Sequence, residues 1–190
     1  SGKSSQILLL EKYLKNNKIP FIITREPGGT KIAETLRNLI LKVKSDINIQ
    51  EEILLLMAAR SHHINNVIVP ALKKGKLVIS DRFADSTFVY QGFVNKFGIS
   101  KTQKLHSLLL DNFNPQFTFV FNLNANEILL RLKKRKYKNK YDKIDINFHK
   151  KVILGYKKIS KSKRFINIDA SLSKNMIHDQ ILKILKLKLK

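Results

Sequence analysis

The chain of 190 residues contains no cysteine and no long apolar run. Without cysteine it can form neither a disulfide bond nor a thiolate metal site, which favours a reducing compartment, the cytoplasm. A membrane-spanning helix needs roughly 20 apolar residues in succession, and no segment approaches that length, so we expect no membrane partner. The length predicts a single domain over residues 1–190, large enough for one sizeable core.

Acidic residues and arginine are also scarce. The 14 acidic residues are outnumbered by 37 basic ones, and the formal net charge is +23. Such a charge is compatible with a nucleic-acid partner or a substrate rich in phosphate. Only seven of the basic residues are arginine, however, and arginine is the better bidentate reader of phosphates and bases. Because Lys, Asn and Ile abound together, we attribute most of the charge to an AT-rich genome. We therefore expect no nucleic-acid partner.

Predicted helices and short apolar strands alternate along the chain. Strands are predicted at 20–24, 77–80, 117–121 and 165–168, and helices at 4–17, 31–44, 50–74, 84–93, 101–112, 125–135, 146–161 and 174–189. Apolar strands separated by helices imply a parallel sheet covered on both faces, so the predicted fold class is α/β. Ligands of such sheets bind beyond the carboxyl ends of the strands.

The first five residues, Ser1-Gly2-Lys3-Ser4-Ser5, match the second half of a phosphate-binding loop of the G-x-x-x-x-G-K-[ST] type. In such a loop backbone N–H groups cradle phosphates, the lysine reaches the β- and γ-phosphates, and the hydroxyl ligates Mg²⁺. Lys3 is therefore a candidate catalytic cation and Ser4 a candidate metal ligand. Taken alone, the five residues are weak evidence, since a stretch of small residues with a lysine usually marks an ordinary helix N-terminus. The loop's first glycine and the strand before it would lie upstream of Ser1.

Charged residues follow two of the predicted strands. Asp81 ends the second strand, where an acid can hold Mg²⁺ beside the P-loop hydroxyl of Ser4. The alternative role for Asp81 is to cap the next helix. Arg82 is a candidate phosphate clamp, or else a member of a surface ion pair of little energetic value. Arg25 and Glu26 follow the first strand in the same way.

Four stretches resemble motifs of bacterial thymidylate kinases. Three of them are sequence motifs: TREPGGT at 24–30 with Arg37 after it, AARSHH at 58–63, and DRFADSTFVYQG at 81–92. The fourth, residues 148–156, resembles the helix after that family's lid, and residues 168–170 resemble its terminal strand. The resemblance covers essentially the whole chain in the right order. It implies a P-loop NTPase-type, three-layer α/β/α fold, and a homodimer that transfers the γ-phosphoryl of ATP to dTMP with Mg²⁺.

The resemblance implies roles for five residues at the phosphate and base of the acceptor. Arg37 and Arg82 would grip the 5′-phosphate and hold it in line with the γ-phosphate of ATP. Arg60 would hydrogen-bond the edge of the base. Thr87 and Gln91 lie four residues apart on one helical face and could read the rest of that edge as donors and acceptors.

Three further residues are implied around the sugar and the base. Tyr90 would pack near the deoxyribose and disfavour a 2′-hydroxyl, and Glu26 would reach a sugar hydroxyl or the water shell of the metal. Leu56 stands where the family generally stacks a phenylalanine on thymine. The loss of stacking costs on the order of 1 kcal/mol, unless Met57 or Phe88 compensates.

The resemblance places a closing lid at residues 131–145, a segment rich in lysine. A cation carried by a closing loop stabilises the charge of the moving phosphoryl group and excludes water. The candidate catalytic cations there are Arg135 and, second, Arg131. The sequence departs from the family at 142–145, which read DKID where an arginine is usual, and at His62, where glutamine is usual. It also lacks a first strand, so we expect the gene product to begin upstream and the sheet of this chain to have a central slot.

Two alternatives remain open from the sequence. One is a P-loop kinase for another nucleoside or nucleotide, which the leucine at position 56 leaves possible. The other is a basic nucleic-acid-binding protein, favoured only by the charge, since no RRM, helix-turn-helix or zinc pattern is present.

Overall fold

The computed structural model describes residues 2–42, 46–133 and 145–188. The described helices are α1 (Lys3–Asn16), α2 (Lys31–Leu41), α3 (Ile49–His63), α4 (Val69–Lys73), α5 (Ala84–Thr87), α6 (Ile99–Leu110), α7 (Ala125–Lys133), α8 (Ile146–Ile159) and α9 (Lys174–Lys188), with two π-helical turns, π1 (Ile64–Ile68) and π2 (Phe88–Val94). The strands are β1 (Phe21–Arg25), β2 (Leu77–Asp81), β3 (Thr118–Asn122) and β4 (Phe165–Asp169). Helices and strands alternate as the sequence pattern predicts.

Side-chain caps fix where the helices around the candidate site begin. The Thr30 hydroxyl accepts a hydrogen bond from the backbone N–H of Ala33 at 3.1 Å and starts α2. A capping box starts α3, because Asn48 Oδ1 accepts from the N–H of Glu51 at 3.0 Å while the Glu51 carboxylate accepts from the N–H of Asn48 at 2.8 Å. These caps set the direction in which the buried faces of α2 and α3 point.

Two of the predicted helices change their winding part-way along. The helix predicted over 50–74 is divided into α3, π1 and α4, and Pro70 lies at the start of α4. Since proline has no N–H to continue the regular ladder, the wider turn of π1 precedes it. The helix predicted over 84–93 passes from α5 into π2, where Asn95 N–H donates to the carbonyl of Tyr90 at 3.0 Å. Turns of this kind are frequent at functional sites.

The strands form two parallel pairs. Strand β1 pairs with β2, with Phe21 opposite Leu77 and Arg25 opposite Asp81. Strand β3 pairs with β4 from Thr118 opposite Phe165 onward. The predicted α/β class with parallel strands is therefore confirmed, but a single continuous sheet is not what the structure has. Among the described residues no strand is hydrogen-bonded between the pairs, so they remain separate sheets. The expected upstream strand stays a prediction.

One apolar cluster packs against both strand pairs. Its buried members come from α1, α9, β4 and the segments after β3 and β4, and include Leu10, Leu14, Leu123, Ile168 and Ile181. Partly buried side chains from all four strands pack against this cluster. Two further clusters fill the space between α3 and α6 and between π2 and α8. The shared core holds the two sheets in one folded unit even though no backbone hydrogen bonds join them.

None of the helices in the described ranges is both long enough and apolar enough to cross a membrane.

Candidate active site

The carboxyl ends of β1 and β2 lie side by side. Arg25 is the register partner of Asp81, and the backbone N–H of Glu26 donates to the carbonyl of Asp81 at 3.1 Å. The loop after β1 is thereby fixed against the loop after β2. Charged residues that are more than 50 positions apart in the sequence meet at one edge, as the parallel pattern predicts.

An ion pair holds the loop after β1 in place. Arg25 Nε and Nη2 donate to the two carboxylate oxygens of Glu34 at 3.1 and 2.8 Å, and the N–H of Gly29 donates to Glu34 at 3.0 Å. The hydrogen bonds from Arg25 lower the pKa of the Glu34 carboxyl below its ordinary value. Gly29 has φ +86°, and a Cβ there would lie 2.5 Å from the ring of His63, so only glycine fits.

Two further arginines reach the same edge. Arg37, on α2, is partly buried and donates from Nη1 to the carbonyl of Pro27 at 2.8 Å. Burial lowers the pKa of the Arg37 guanidinium, and the positive charges of Arg25 and Arg82 lower it further. We call Arg25, Arg37, Asp81 and Arg82 the cationic edge. Because its guanidinium groups destabilise one another electrostatically, the cationic edge is suited to receive an anion.

Arg82 adopts a backbone conformation that is unusual for a residue with a side chain. Its φ is +73°, in the left-handed region, and the Ser80 hydroxyl donates to its carbonyl at 2.6 Å. The guanidinium lies 5.2 Å above the ring of Tyr90 and donates to Ser86 at 3.3 Å. Ser86 in turn shares a 3.0 Å hydrogen bond with the phenol of Tyr156. Burial raises the pKa of Tyr156 to about 12, so this phenol stays neutral.

Asp81 has the features of a metal ligand. Its Oδ1 atom is buried and has no hydrogen-bond partner in the structure. The alternative role as a helix cap is wrong, because α5 begins after Phe83 and has no side-chain cap. Among the described residues there is no cluster of three His, Cys, Asp or Glu side chains. Mg²⁺ does not require one, since it commonly takes one or two protein oxygens together with waters and phosphates. Asp81 and the exposed hydroxyl of Ser4 fit that requirement.

The start of α1 keeps the form of a phosphate-binding turn. Gly2 precedes the helix with φ +81°, Lys3 is its first residue, and the side chains of Ser4 and Ser5 are exposed. Arg131 extends from α7 to this turn. Its Nη2 donates to the carbonyl of Ala170 at 2.9 Å, and its Nη1 lies 3.9 Å from the position that a Cβ on Gly2 would take. The second of the two predicted lid cations therefore lies beside the phosphate turn. Ser1 is outside the described residues.

Arg60 and Glu26 form a buried ion pair at the centre of a polar network. Each side chain is only 3% exposed, and Arg60 Nε donates to Glu26 Oε2 at 2.7 Å. Arg60 Nη2 also donates to the Thr87 hydroxyl at 2.8 Å. The other oxygen of Glu26 lies 3.1 Å from Nδ1 of His63, whose Nε2 contacts the Thr24 hydroxyl at 2.6 Å. Both carboxylate oxygens of Glu26 are thus engaged within the protein.

Gln91 forms a second buried polar contact with α3. Its Nε2 donates to Oε1 of the buried Glu52 at 2.5 Å. Gln91 and Thr87 both bond to side chains of α3, which agrees with the prediction that they share one face. We call Glu26, Glu52, Arg60, His63, Thr87 and Gln91 the buried polar layer. Its members are at most 5% exposed.

Tyr90 and Leu56 lie beside this layer. Tyr90 is partly buried between the guanidinium of Arg82 and the ring of Phe148, at 5.2 and 5.9 Å between centres. Leu56 is 6% exposed on α3. Met57 contacts Arg60 through its sulfur at 3.6 Å, and Phe88 packs edge-on against His106. Both candidate substitutes for a stacking phenylalanine therefore have contacts of their own.

Most of the predicted lid, residues 134–144, lies outside the described residues. That segment includes Arg135 and residues 142–144. Asp145 is described, and its carboxylate caps α8 by accepting from the N–H of Phe148 at 2.9 Å. The preference for Arg135 over Arg131 therefore stays a prediction.

The sequence comparisons agree with this geometry. A family model described as "Thymidylate kinase" matches residues 1–181. The chain belongs to the thymidylate kinase family. A thymidylate kinase of Caldicellulosiruptor saccharolyticus is 37% identical over 186 residues, covering 97% of this chain and 90% of the relative. A thymidylate kinase of Geobacillus sp. (strain WCH70) is 40% identical, and the match covers 90% of this chain and 84% of the relative. A thymidylate kinase of Mycoplasma capricolum subsp. capricolum is 38% identical, and the match covers 100% of this chain and 92% of the relative.

In this thymidylate kinase family member, motif reasoning missed the acids and bases behind the predicted site. Glu52 and His63 were not singled out, although both are buried and bonded to predicted site residues. Helical spacing contained a signal: the buried face of α3 carries Glu52, Arg60 and His63 among its apolar residues. A charged group on an apolar face needs a partner, and the structure supplies these partners from other elements.

Proposed function

We propose that this chain phosphorylates dTMP, giving dTDP and ADP from ATP. The observation that carries the proposal is the cationic edge at the ends of β1 and β2. There the positive charge of Arg82 is close enough to lower the pKa of the Arg37 guanidinium. The Oδ1 atom of Asp81, at the same edge, has no hydrogen-bond partner in the structure. An anion with several oxygens satisfies the arginines, and a hydrated divalent cation satisfies the acid.

The proposed reaction is an in-line phosphoryl transfer. An oxygen of the 5′-phosphate of dTMP forms a bond to the γ-phosphorus of ATP, while the bond from that phosphorus to the β–γ bridging oxygen breaks and ADP leaves. Arg37 and Arg82 hold the acceptor phosphate in line. Lys3 and the N–H groups at the start of α1 hold the phosphates of the donor. Mg²⁺, held by Ser4 and Asp81, would offset charge on the β- and γ-oxygens.

Arg131 is the described residue best placed to act on the moving group. It lies beside Gly2 and hence beside the N–H groups that would hold the phosphates. A guanidinium at that position stabilises negative charge on the equatorial oxygens of the transition state. Arg135 and the remainder of the lid at 131–145 would contribute on closure.

The buried polar layer would recognise the base. Arg60, Thr87 and Gln91 would face the edge of thymine, Leu56 would contact its ring, and Tyr90 would pack near the deoxyribose. Each carboxylate oxygen of Glu26 has one partner within the protein, Arg60 or His63, and would reach a sugar hydroxyl or the water shell of the metal through its remaining lone pairs. We also assign Glu26 the task of fixing Arg60.

The finer features of the family belong to the same proposal. These are a three-layer α/β/α fold of the P-loop NTPase type, a cytoplasmic location and a homodimer. Exposed leucines on neighbouring helices support a dimer, since Leu54 on α3 is 59% exposed and Leu108 and Leu109 on α6 are 79% and 51% exposed. Apolar surface of this kind is suited to helices packed side by side. Light scattering during gel filtration measures the mass and would refute the dimer if only the monomer is found.

The activity is tested with a panel of nucleoside monophosphates and purified protein. ADP formation is followed in a coupled assay, and the product nucleotide is identified by ion-exchange chromatography. We expect dTDP, dependence on Mg²⁺, and the highest kcat/KM for dTMP. A clear preference for another monophosphate contradicts the proposal. Salt-sensitive duplex binding without nucleotide binding would favour a nucleic-acid-binding protein instead.

A further inference from the structure

Helix α8 packs closely against the segment that follows the cationic edge. Buried side chains of π2 and α8 share one apolar cluster, against which the rings of Tyr90, Phe93 and Tyr156 pack. Gly155 permits this approach, because a Cβ there would lie 2.8 Å from Cγ1 of Val89 and 3.0 Å from Cδ1 of Phe93. The glycine therefore sets how near the next residue, Tyr156, comes to α5.

The hydroxyl of Ser86, on α5, joins Tyr156 to Arg82. Its oxygen lies 3.0 Å from the phenol oxygen of Tyr156 and accepts from Nη1 of Arg82 at 3.3 Å. A guanidinium has donors only, so Ser86 supplies the acceptor in the second bond. A serine side chain can take three staggered rotamers, and the bond to Tyr156 favours the one that faces Arg82.

The guanidinium of Arg82 rests on two groups that α8 supports. One is Ser86, held by Tyr156. The other is the ring of Tyr90, which lies 5.2 Å from the guanidinium carbon and 5.9 Å, between ring centres, from Phe148 on α8. The bond to Ser86 is long, and a cation over a ring can slide across it, so neither contact fixes the guanidinium strongly by itself. Its orientation therefore depends on how firmly the two supports are held.

The phenol of Tyr156 can support Ser86 without competing for Arg82. Burial raises the pKa of Tyr156 to about 12, so the phenol is neutral at pH 7. A neutral phenol both donates and accepts, so it can bond to the serine hydroxyl whichever way that hydroxyl points. A phenolate would pair with the guanidinium of Arg82 and oppose the binding of a phosphate there.

We propose that Tyr156 is a positioning residue, whose phenol acts through Ser86 to hold the guanidinium of Arg82 in the orientation that grips the acceptor phosphate. The inference rests on the proposed function, because it presumes that Arg82 is the phosphate clamp. Tyr156 itself need not touch the substrate. A displacement of about 1 Å at a group that orients a substrate can cost about a hundredfold in rate, so one remote hydroxyl is able to affect the reaction.

The test is the substitution Tyr156→Phe, which removes only the phenol oxygen and keeps the ring in the apolar cluster. We expect kcat/KM for dTMP to fall about tenfold, because a misplaced clamp still carries its charge. KM for ATP should stay within about twofold of its original value, since the donor phosphates are proposed to lie at the start of α1. An unchanged kcat/KM for dTMP, or an equal rise of KM for both substrates, would overturn the inference.

A cycle of double substitutions separates positioning from simple packing. Tyr156→Phe added to Ser86→Ala should change kcat/KM for dTMP by less than about twofold, because the link to Arg82 is already broken. The same small change is expected when Tyr156→Phe is added to Arg82→Met. If the losses multiply in either pair, Tyr156 acts independently of Arg82 and the inference is wrong.

Tyr13→Phe is the matched control. Tyr13 is a partly buried tyrosine of α1 that packs against the apolar cluster shared by the two sheets, and its ring centre lies 5.8 Å from Nζ of Lys186. The substitution makes the same chemical change on an element that does not contribute to the cationic edge. It should keep the original kcat/KM for dTMP. Equal losses in Tyr13→Phe and Tyr156→Phe would contradict the proposed role.

An NMR measurement reports on the guanidinium directly. The order parameter of the Nε–H bond of Arg82 should be lower in Tyr156→Phe than in the unsubstituted chain, and unchanged in Tyr13→Phe. If Tyr156→Phe leaves this order parameter unchanged, Tyr156 does not hold Arg82 and the inference is overturned. Failure of the proposed function is separate, since it would appear as no phosphorylation of dTMP by the unsubstituted chain, whatever the order parameters are.

Discussion

The cationic edge and the buried polar layer solve recognition in opposite ways. In the cationic edge, the arginines are exposed or partly buried and repel one another electrostatically, so a bound anion would stabilise them. In the buried polar layer, every member is at most 5% exposed and is bonded to another member. A phosphate is a strong charge that can be gripped by mobile donors in water. A base edge offers weak neutral groups, so the protein must fix its own donors and acceptors beforehand.

The difference predicts a division between activity and stability. Substitutions in the cationic edge should slow the reaction and cost little stability, because the hydrogen bonds of its guanidinium groups to Glu34, the Pro27 carbonyl and Ser86 are exposed or partly buried. Substitutions in the buried polar layer should destabilise the fold, since each leaves a desolvated group unpaired. The two regions are joined by one residue pair: Glu26, in the layer, directly follows Arg25, at the edge.

The largest effect on activity is expected for Arg82→Met. Loss of the phosphate clamp should lower kcat/KM for dTMP about a hundredfold or more. The unfolding free energy should change by about 1 kcal/mol, because the contacts that are lost include a long hydrogen bond to Ser86 and the contact with the ring of Tyr90. Steady-state kinetics and urea denaturation measure the two quantities.

Lys96→Met is the matched control for Arg82→Met. Lys96 is also an exposed cation with positive φ, at +60° compared with +73° for Arg82. The backbone strain is therefore similar, and the control should retain full activity. Equal losses of activity in the two variants would mean that Arg82 acts through the backbone or the overall charge, and not as a clamp.

The largest effect on stability is expected for Arg60→Met. Among the described residues the substitution leaves the buried Glu26 side chain with His63 as its remaining partner, and breaking a buried pair in this way costs about 3–5 kcal/mol. Arg37→Met removes a guanidinium of the cationic edge, which is bonded to one carbonyl, and should cost about 1 kcal/mol or less. Urea denaturation compares the two variants. If Arg37→Met were the more destabilising, the proposed division would be wrong.

The sequence predicted the cationic edge better than the buried polar layer, and the reason is physical. Residues at the ends of parallel strands must meet, so Arg25 and Asp81 could be placed together from strand pattern alone. The bonds of the layer join α3 to the loop after β1 and to π2, and such pairings depend on how helices pack in three dimensions. The pairing of Glu52 with Gln91 also depends on the π winding of Phe88–Val94, which no local sequence signal indicated.

The two neighbouring histidines provide a smaller test within one helix turn. His63 is fully buried and bonded to Glu26 and Thr24, whereas His62 is partly exposed and its ring contacts the Thr30 hydroxyl at 3.0 Å. We expect His63→Gln to cost about 1–3 kcal/mol of unfolding free energy and to raise KM for dTMP by loosening Arg60. His62→Gln should stay within about 1 kcal/mol. Equal KM values in the two variants would show that His63 does not act on Arg60.

The smallest effect on stability is expected for the ion pair between Arg25, a member of the cationic edge, and Glu34. Its side chains are 55% and 33% exposed, so screening limits its contribution to about 0.5 kcal/mol. The pKa of Glu34 is lowered from its ordinary value of 4.5, chiefly by the hydrogen bonds from Arg25. Its contribution is therefore present above pH 4.5 and is lost as the pH falls through the lower folded-state value.

Thermal unfolding of Glu34→Gln and the unsubstituted chain should differ slightly at pH 7, and the difference should shrink in acid. High salt should reduce the difference at pH 7 as well. A difference that stays constant from pH 7 to pH 3 would mean that Glu34 stabilises the loop through neutral hydrogen bonds to Arg25 and Gly29. In that case the cationic edge, like the buried polar layer, would be held by fixed hydrogen bonds and not by charge, and the two regions would differ less than proposed here.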